Sequence, residues 1–202
     1  MPPTFTKRFP PPTIGLVFTG GKSSRMHRDK SLLNYHGQPQ RQHLLHLLQP
    51  FCEEVWLCCN ATQAAGMNPE PPFLMDDPVW GDIGPMAGLL TAAKKFPAKN
   101  LLAIGCDYPF FNHTALELLA TVCNPEKPAA FYNPATHFYE PLLAFYPAVV
   151  LQEMETLWSQ QQFSLQQFLR AIPAIRCIPD DPVIILSIDT PEAAKAAMKI
   201  FR

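Results

Sequence analysis

A chain of 202 residues with 16 Lys and Arg against 17 Asp and Glu carries a net charge of −1, so it offers no global field for a nucleic-acid polymer or an acidic membrane surface. Its 48% hydrophobic share suits one globular domain with a substantial core, and no apolar run approaches the ~20 residues of a spanning helix. The Pro-rich start through Pro10-Pro11-Pro12 lacks the apolar centre of a signal peptide. Residues 1–12 therefore read as a leader and 13–202 as the domain.

The first apolar run, Ile14–Thr19, predicts a buried strand that breaks at Gly20-Gly21. Two glycines at a strand end allow a sharp turn and let a ligand approach the backbone amides. Ser23, Ser24, Arg25, Arg28 and Lys30 add hydroxyl and cationic groups within the next few residues. Such a loop is suited to a small polyanion, nucleotide phosphate above all, although a solvated basic loop has the same composition. It is neither a Walker A sequence nor a Gly-x-Gly-x-x-Gly fingerprint.

Further along, a helix is predicted over Gln40–Leu48 and a strand over Val55–Cys59, followed by Asn60. The Asn60 amide can read a base edge or ribose, or cap the next turn. A strand at Phe73–Met75 runs into Asp76-Asp77, and a helix follows at Pro85–Lys95 with proline in its first turn. The strand Leu101–Cys106 ends at Asp107-Tyr108-Pro109. A carboxylate there can ligate a hard divalent cation or serve as an Asx-turn, and the residues alone leave both open. Helices at Thr114–Val122, Ala148–Trp158, Leu165–Ala171 and Pro191–Ile200 alternate with strands at Ala129–Tyr132, Leu142–Phe145, Ile175–Ile178 and Ile184–Ile188. This alternation predicts a parallel α/β sheet, with ligands at the carboxyl ends of its strands.

The six cysteines contain no Cys-x-x-Cys pair, and four of them lie in strand-like apolar runs. They read as buried thiols of a cytoplasmic protein rather than a disulfide or metal framework. His36, His43, His46, His113 and His137 have no ligand spacing, and no nucleophilic triad is visible.

The segment Gly20-Gly21-x-Ser23-x-Arg25-Met26-x-x-Asp29-Lys30 resembles the opening motif of the MobA-like nucleotidyltransferases, with His27 where that family has glycine. Asp107-Tyr108-Pro109 resembles the family's Asp-x-Pro element, and Gly84-Pro85-Met86-Ala87-Gly88 its Gly-Pro-Leu-Ala-Gly segment. Ser187-Ile188-Asp189-Thr190-Pro191-Glu192 is similar to Asn-Ile-Asn/Asp-Thr-Pro-Glu, with serine replacing the first asparagine. The resemblance implies a Rossmann-like three-layer αβα domain whose sheet is mostly parallel with one antiparallel strand. It implies catalysis by Arg25, Lys30 and Asp107, with Asp107 holding Mg²⁺. Phe18, Thr19, Gly20, Gly21, Lys30, Asn60, Asp77 and Asp107 would contact the nucleotide, the distance to Gly84 selecting Asp77 over Asp76.

The reaction implied is transfer of GMP from GTP to the phosphate of molybdopterin, with release of pyrophosphate. Arg25 and Lys30 would stabilise the developing charge, and no general base is needed because the attacking phosphate is already anionic. Gly20-Gly21 matches guanylyl members, whereas cytidylyl members carry Ala-Gly. A monomer or weak homo-oligomer is expected. The alternatives are a related enzyme using CTP or another phosphorylated acceptor, and a nucleotide-binding relative without turnover.

Overall fold

The computed structural model describes residues 8–20, 29–65 and 71–201. Thr13–Phe18 forms β1, buried along its whole length. A β-branched, continuously apolar run of this kind belongs at the centre of a sheet covered on both faces. It pairs in parallel with β2 (Glu54–Cys59) on one side and β4 (Asn100–Gly105) on the other. The β3 strand (Phe73–Met75) extends the sheet beyond β2. Past β4 lies β6 (Phe138–Tyr146), antiparallel to β4 and to β5 (Ala129–Asn133), with β7 (Ile175–Cys177) parallel to β5. The order is β3-β2-β1-β4-β6-β5-β7, and among the described residues β6 is the single reversed strand, as the resemblance implies.

Seven helices flank this sheet among the described residues: α1 (Gln40–Leu48), α2 (Ala61–Ala64), α3 (Pro85–Lys95), α4 (His113–Val122), α5 (Ala148–Ser159), α6 (Leu165–Ala171) and α7 (Pro191–Ile200). Alternate strand residues feed two cores. On one face Val17, Leu102, Ile104 and Phe131 meet Leu44 and Leu48 of α1 and Leu116 of α4. On the other face Leu16, Leu101 and Tyr146 meet Met86 of α3, Met154 of α5 and Phe168 of α6. Helix α7 joins neither core. Its Ala194 and Ala197 bury against Tyr35 and Ile188 in a small third cluster.

The chain leaves β1 for β2 by way of α1 on one face and returns from β3 to β4 by way of α3 on the other. The strand order therefore reverses between β1 and β4, and the crevice at their carboxyl ends is where such sheets bind ligands.

Three local features depart from the sequence reading. The strand expected at Ile184–Ile188 is instead a 3₁₀ turn over Pro182–Ile185 followed by extended chain. Proline at its first position and the Asp181 carboxylate, which accepts from the Val183 amide at 2.9 Å, start a helical turn in place of a ladder. The short α2 was not expected. The leader also joins the domain from Phe9 onward. That ring is buried and stacks on Phe145 at 5.8 Å, and the Pro10 carbonyl accepts from Asn100 Nδ2 at 2.8 Å. The six cysteines are free thiols.

Candidate active site

At the end of β1, Gly20 has φ +119°, a conformation side chains rarely adopt, and the chain turns there into the glycine loop. Gly21 and Arg25 lie outside the described residues, as does the rest of the loop through 28. The two edges of the loop are tied by one side chain. Gln63 Nε2 donates to the Thr19 carbonyl at 3.4 Å and to Asp29 Oδ2 at 3.3 Å. Its Oε1 lies 3.0 Å from the Thr19 hydroxyl and accepts from the Asn60 amide at 3.2 Å. Asn60 Oδ1 answers by accepting from the Gln63 amide at 2.9 Å, so the pair forms a reciprocal capping box on α2. On the loop's far side Asp29 Oδ1 accepts from the Ser31 amide and opens the 3₁₀ turn Lys30–Leu32. Gln63 thus joins the ends of β1 and β2 to the segment that carries Lys30. Its signal in the sequence is the Asn-x-x-Gln spacing.

Beside this web a cavity of about 570 Å³ opens, within the range of small-molecule sites. Phe18, Gly20, Asn60, Asp76, Gly84 and Leu142 contribute to its wall. Asp76, rather than the expected Asp77, faces it. Successive side chains at a strand end point to opposite sides, and β3 hands this alternation to the two aspartates. Burial pushes the Asp76 carboxyl up to about 6. Asp77 instead caps the turn Pro78–Trp80 through the Val79 amide and pairs with Lys94 Nζ at 2.8 Å. The hydrogen bond from Lys94 holds its carboxyl below the usual range. Of the two aspartates, the structure thus brings Asp76 to the cavity wall and leaves Asp77, expected there, in a turn outside it. Thr19, also expected at the nucleotide, is buried and directed to Gln63 and the Cys58 carbonyl.

The second half of the site is built around Asp107. Gly105 leaves room for its carboxylate, because a Cβ at that glycine would lie 2.4 Å from Asp107 Oδ1. The Asp107 carbonyl accepts from the Ile188 amide at 2.8 Å, and Ser187 Oγ sits 3.2 Å from both Asp107 Oδ2 and Asp189 Oδ2. Asp189 Oδ1 in turn lies 2.5 Å from Lys30 Nζ. Lys30, Ser187, Asp189 and Asp107 form one connected chain, with Ser187 bridging two carboxylates where the family motif has asparagine. Burial raises the Asp107 carboxyl despite the opposing Lys30 charge. Next to it Tyr108 donates to Glu140 Oε2 at 2.8 Å, and burial raises Glu140 as well. Glu140, an acidic residue in an otherwise largely apolar strand, was not singled out from sequence.

Asp107 and Asp189, bridged by one hydroxyl, present hard oxygen donors suited to a divalent cation. Among the described residues no three His, Cys, Asp or Glu side chains converge as a complete metal cage. A Mg²⁺ ion, which favours one or two carboxylates plus phosphate and water, fits this donor set.

A polar crevice at the switch point, with a cavity on one flank and bridged carboxylates on the other, gives this chain the architecture of the α/β nucleotide-handling enzymes. Residues 15–177 match the MobA-like NTP transferase domain, and the chain belongs to that family; by fold and family it is a nucleotidyltransferase. It is 37% identical over 186 residues to the molybdenum cofactor biosynthesis bifunctional protein of Synechocystis sp., covering 90% of this chain and 52% of that one, so it spans about half the length of that relative. It is 29% identical over 175 residues to the molybdenum cofactor guanylyltransferase of Pseudomonas entomophila, covering 82% of this chain and 88% of the relative. The molybdopterin-guanine dinucleotide biosynthesis protein A of Archaeoglobus fulgidus superposes with a TM-score of 0.72 at 21% identity, covering 93% of this chain and 97% of the other, and shares its fold. No helix among the described residues is long and apolar enough to cross a membrane.

Asp76 yields a stability prediction. Its folded value of about 6 stands above the ordinary 3.8, so the native state holds this proton more tightly than the unfolded chain does. The stabilisation is full below the unfolded value and is lost as pH rises through about 6. Asp76→Asn is expected to raise the melting temperature clearly at pH 7.5 and much less at pH 4, measured by thermal denaturation at both. An equal shift at both pH values would contradict the burial of this carboxylate.

Proposed function

We propose that this protein transfers GMP from GTP to the terminal phosphate of molybdopterin. The observation that supports it is the union, in one crevice, of a purine-sized cavity bearing Asp76 and Asn60 with the chain Lys30–Asp189–Ser187–Asp107. Kinship with the Pseudomonas guanylyltransferase, matched over most of both chains, supports the same reading.

In the transfer step, an oxygen of the acceptor phosphate bonds to the α-phosphorus of GTP while the bond from that phosphorus to the α,β-bridging oxygen breaks. The leaving group is pyrophosphate. Ionised Asp76 offers only acceptors, which match the N1–H and N2–H donors of guanine. The backbone at Phe18–Gly21 would lie against the base and ribose, with Asn60 contributing an amide. Lys30 would place its ammonium at the phosphates, joined by Arg25 from the glycine loop. Both would meet charge that develops as the pyrophosphate departs. Asp107, with Asp189 beside it, would hold Mg²⁺, and the ion when bound would neutralise phosphate charge. Ser187 keeps the two carboxylates in place, and Tyr108 is fixed by Glu140. Molybdopterin is the proposed second substrate, and the protein is proposed to act in the cytoplasm as a monomer or weak homo-oligomer.

Two measurements test this assignment. Calorimetric titration of GTP, CTP, ATP and UTP with Mg²⁺ is expected to rank GTP tightest by ~1–3 kcal/mol, the cost of leaving polar groups of the site unpaired against the wrong base. Equal affinities or a preference for CTP would overturn the guanylyl reading and spare the family. In steady-state assays Lys30→Ala is expected to lower kcat by roughly 10²–10³, the scale of one lost stabiliser of transition-state charge. Asp107→Asn is expected to abolish Mg²⁺-dependent turnover with the melting curve retained. Parental rates in both variants would remove Lys30 and Asp107 from the machinery.

A further inference from the structure

The small cluster under α7 connects the catalytic segments from behind. Helix α7 and its C-terminal cap carry a narrow stripe, Ala194, Ala197 and the cap Phe201, at the spacing that aligns side chains on one helical face. At its start Thr190 caps the helix, directly after Ser187 and Asp189, which hold Asp107 and Lys30. At its end the Phe201 ring meets two other segments. It stacks on Phe110 with centroids 5.1 Å apart and planes at 22°, and it meets His36 edge-on at 4.4 Å and Tyr35 at 6.0 Å. Phe110 lies three residues past Asp107, and Tyr35 and His36 follow the Lys30 turn. The same two segments are stitched by His36 Nε2, which donates to the Pro109 carbonyl at 2.9 Å. Tyr35 is buried near enough to Asp107 for that charge to add to the effect of burial, which takes its phenol up to about 12.

We propose that Phe201 is a positioning residue for the transfer reaction: its ring clamps the Lys30 segment against the Asp107 loop and so fixes the ammonium relative to the carboxylate. The inference rests on the nucleotidyl-transfer reading above and assigns a role to a residue that touches no reacting group. The geometry favours it because α7 lies outside both sheet cores, so the aromatic contacts of Phe201 serve the loops rather than the packing of the sheet. The nucleotide cavity, lined by Phe18, Asn60 and Asp76, lies at the other end of the crevice and does not include Phe201. Losing the clamp would thus loosen Lys30 against Asp107 and spare base binding. A misplacement of about 1 Å between reacting groups costs on the order of 10²-fold in rate.

The test compares Phe201→Ala with the ring-keeping Phe201→Tyr. Phe201→Ala is expected to lower kcat by roughly 10–100-fold. Its affinity for guanosine, which lacks the phosphates that Lys30 would meet, should be unchanged when read by calorimetry. Its binding of Mn²⁺ alongside GTP, read by electron paramagnetic resonance, should weaken. Phe201→Tyr is expected to restore kcat and Mn²⁺ binding. The imidazole resonance of His36, which also stacks on His43 at 3.7 Å, should lose the Phe201 share of its ring-current shift in the alanine variant and keep it in the tyrosine variant. Parental kcat and Mn²⁺ binding in Phe201→Ala would overturn the proposal, as would a parallel loss of guanosine affinity, which marks general loosening. Should Phe201→Ala fail to fold, Phe201→Leu answers the same question with the same outcomes. A parent chain that neither binds nor turns over GTP would instead refute the functional reading, an outcome distinct from an active parent with an indifferent Phe201.

Discussion

The site depends on how the carboxylate of Asp107 is accommodated at the buried end of β4. A charge taken out of water there is costly unless partners meet it. The chain supplies those partners from far away: Ser187 and the Ile188 amide from the segment before α7, and Lys30 through Asp189. Gly105 gives the carboxylate its space. The path of the chain after β7 is explained by this need. The residues that might have added an eighth strand turn instead at Pro182 and run extended to Ser187, which brings a hydroxyl and an amide to Asp107.

The crevice divides its work by charge. On the β2–β3 flank the cavity carries Asp76, an acceptor that burial keeps close to its titration point. On the β4 flank the carboxylates of Asp107, Asp189 and Glu140 gather, and Asp189 holds the Lys30 ammonium in a fixed place. The glycine loop leaves β1 between the two flanks. Gln63 spans its base, linking Thr19 to Asp29, so the position of Lys30 is coupled to the strand ends that shape the cavity.

Much of this was legible in the sequence. Continuous apolar runs such as Ile14–Phe18 and Leu101–Gly105 announce central strands, and glycines and aspartates at their ends announce ligand chemistry. The failures have physical causes. Ile184–Ile188 has the composition of a strand, but Pro182 and the Asp181 cap overrule it. Which of Asp76 and Asp77 lines the cavity turns on the parity of side chains leaving β3, and a motif distance carries no information on parity. Gln63 was readable through its capping-box spacing. Glu140, Tyr35 and Phe201 were not, because their roles arise from contacts such as Tyr108 to Glu140, 32 residues apart, and a site in which Lys30 meets Asp189 across 159 residues.

The central claim is that the crevice moves the α-phosphorus of GTP to a phosphate acceptor. Incubation with molybdopterin, Mg²⁺ and GTP labelled separately at the α- and γ-phosphates tests it most directly. The account predicts that the α-label appears in a phosphatase-resistant dinucleotide while the γ-label leaves as pyrophosphate. A γ-label on the acceptor, or intact GTP beside unmodified molybdopterin, would contradict it.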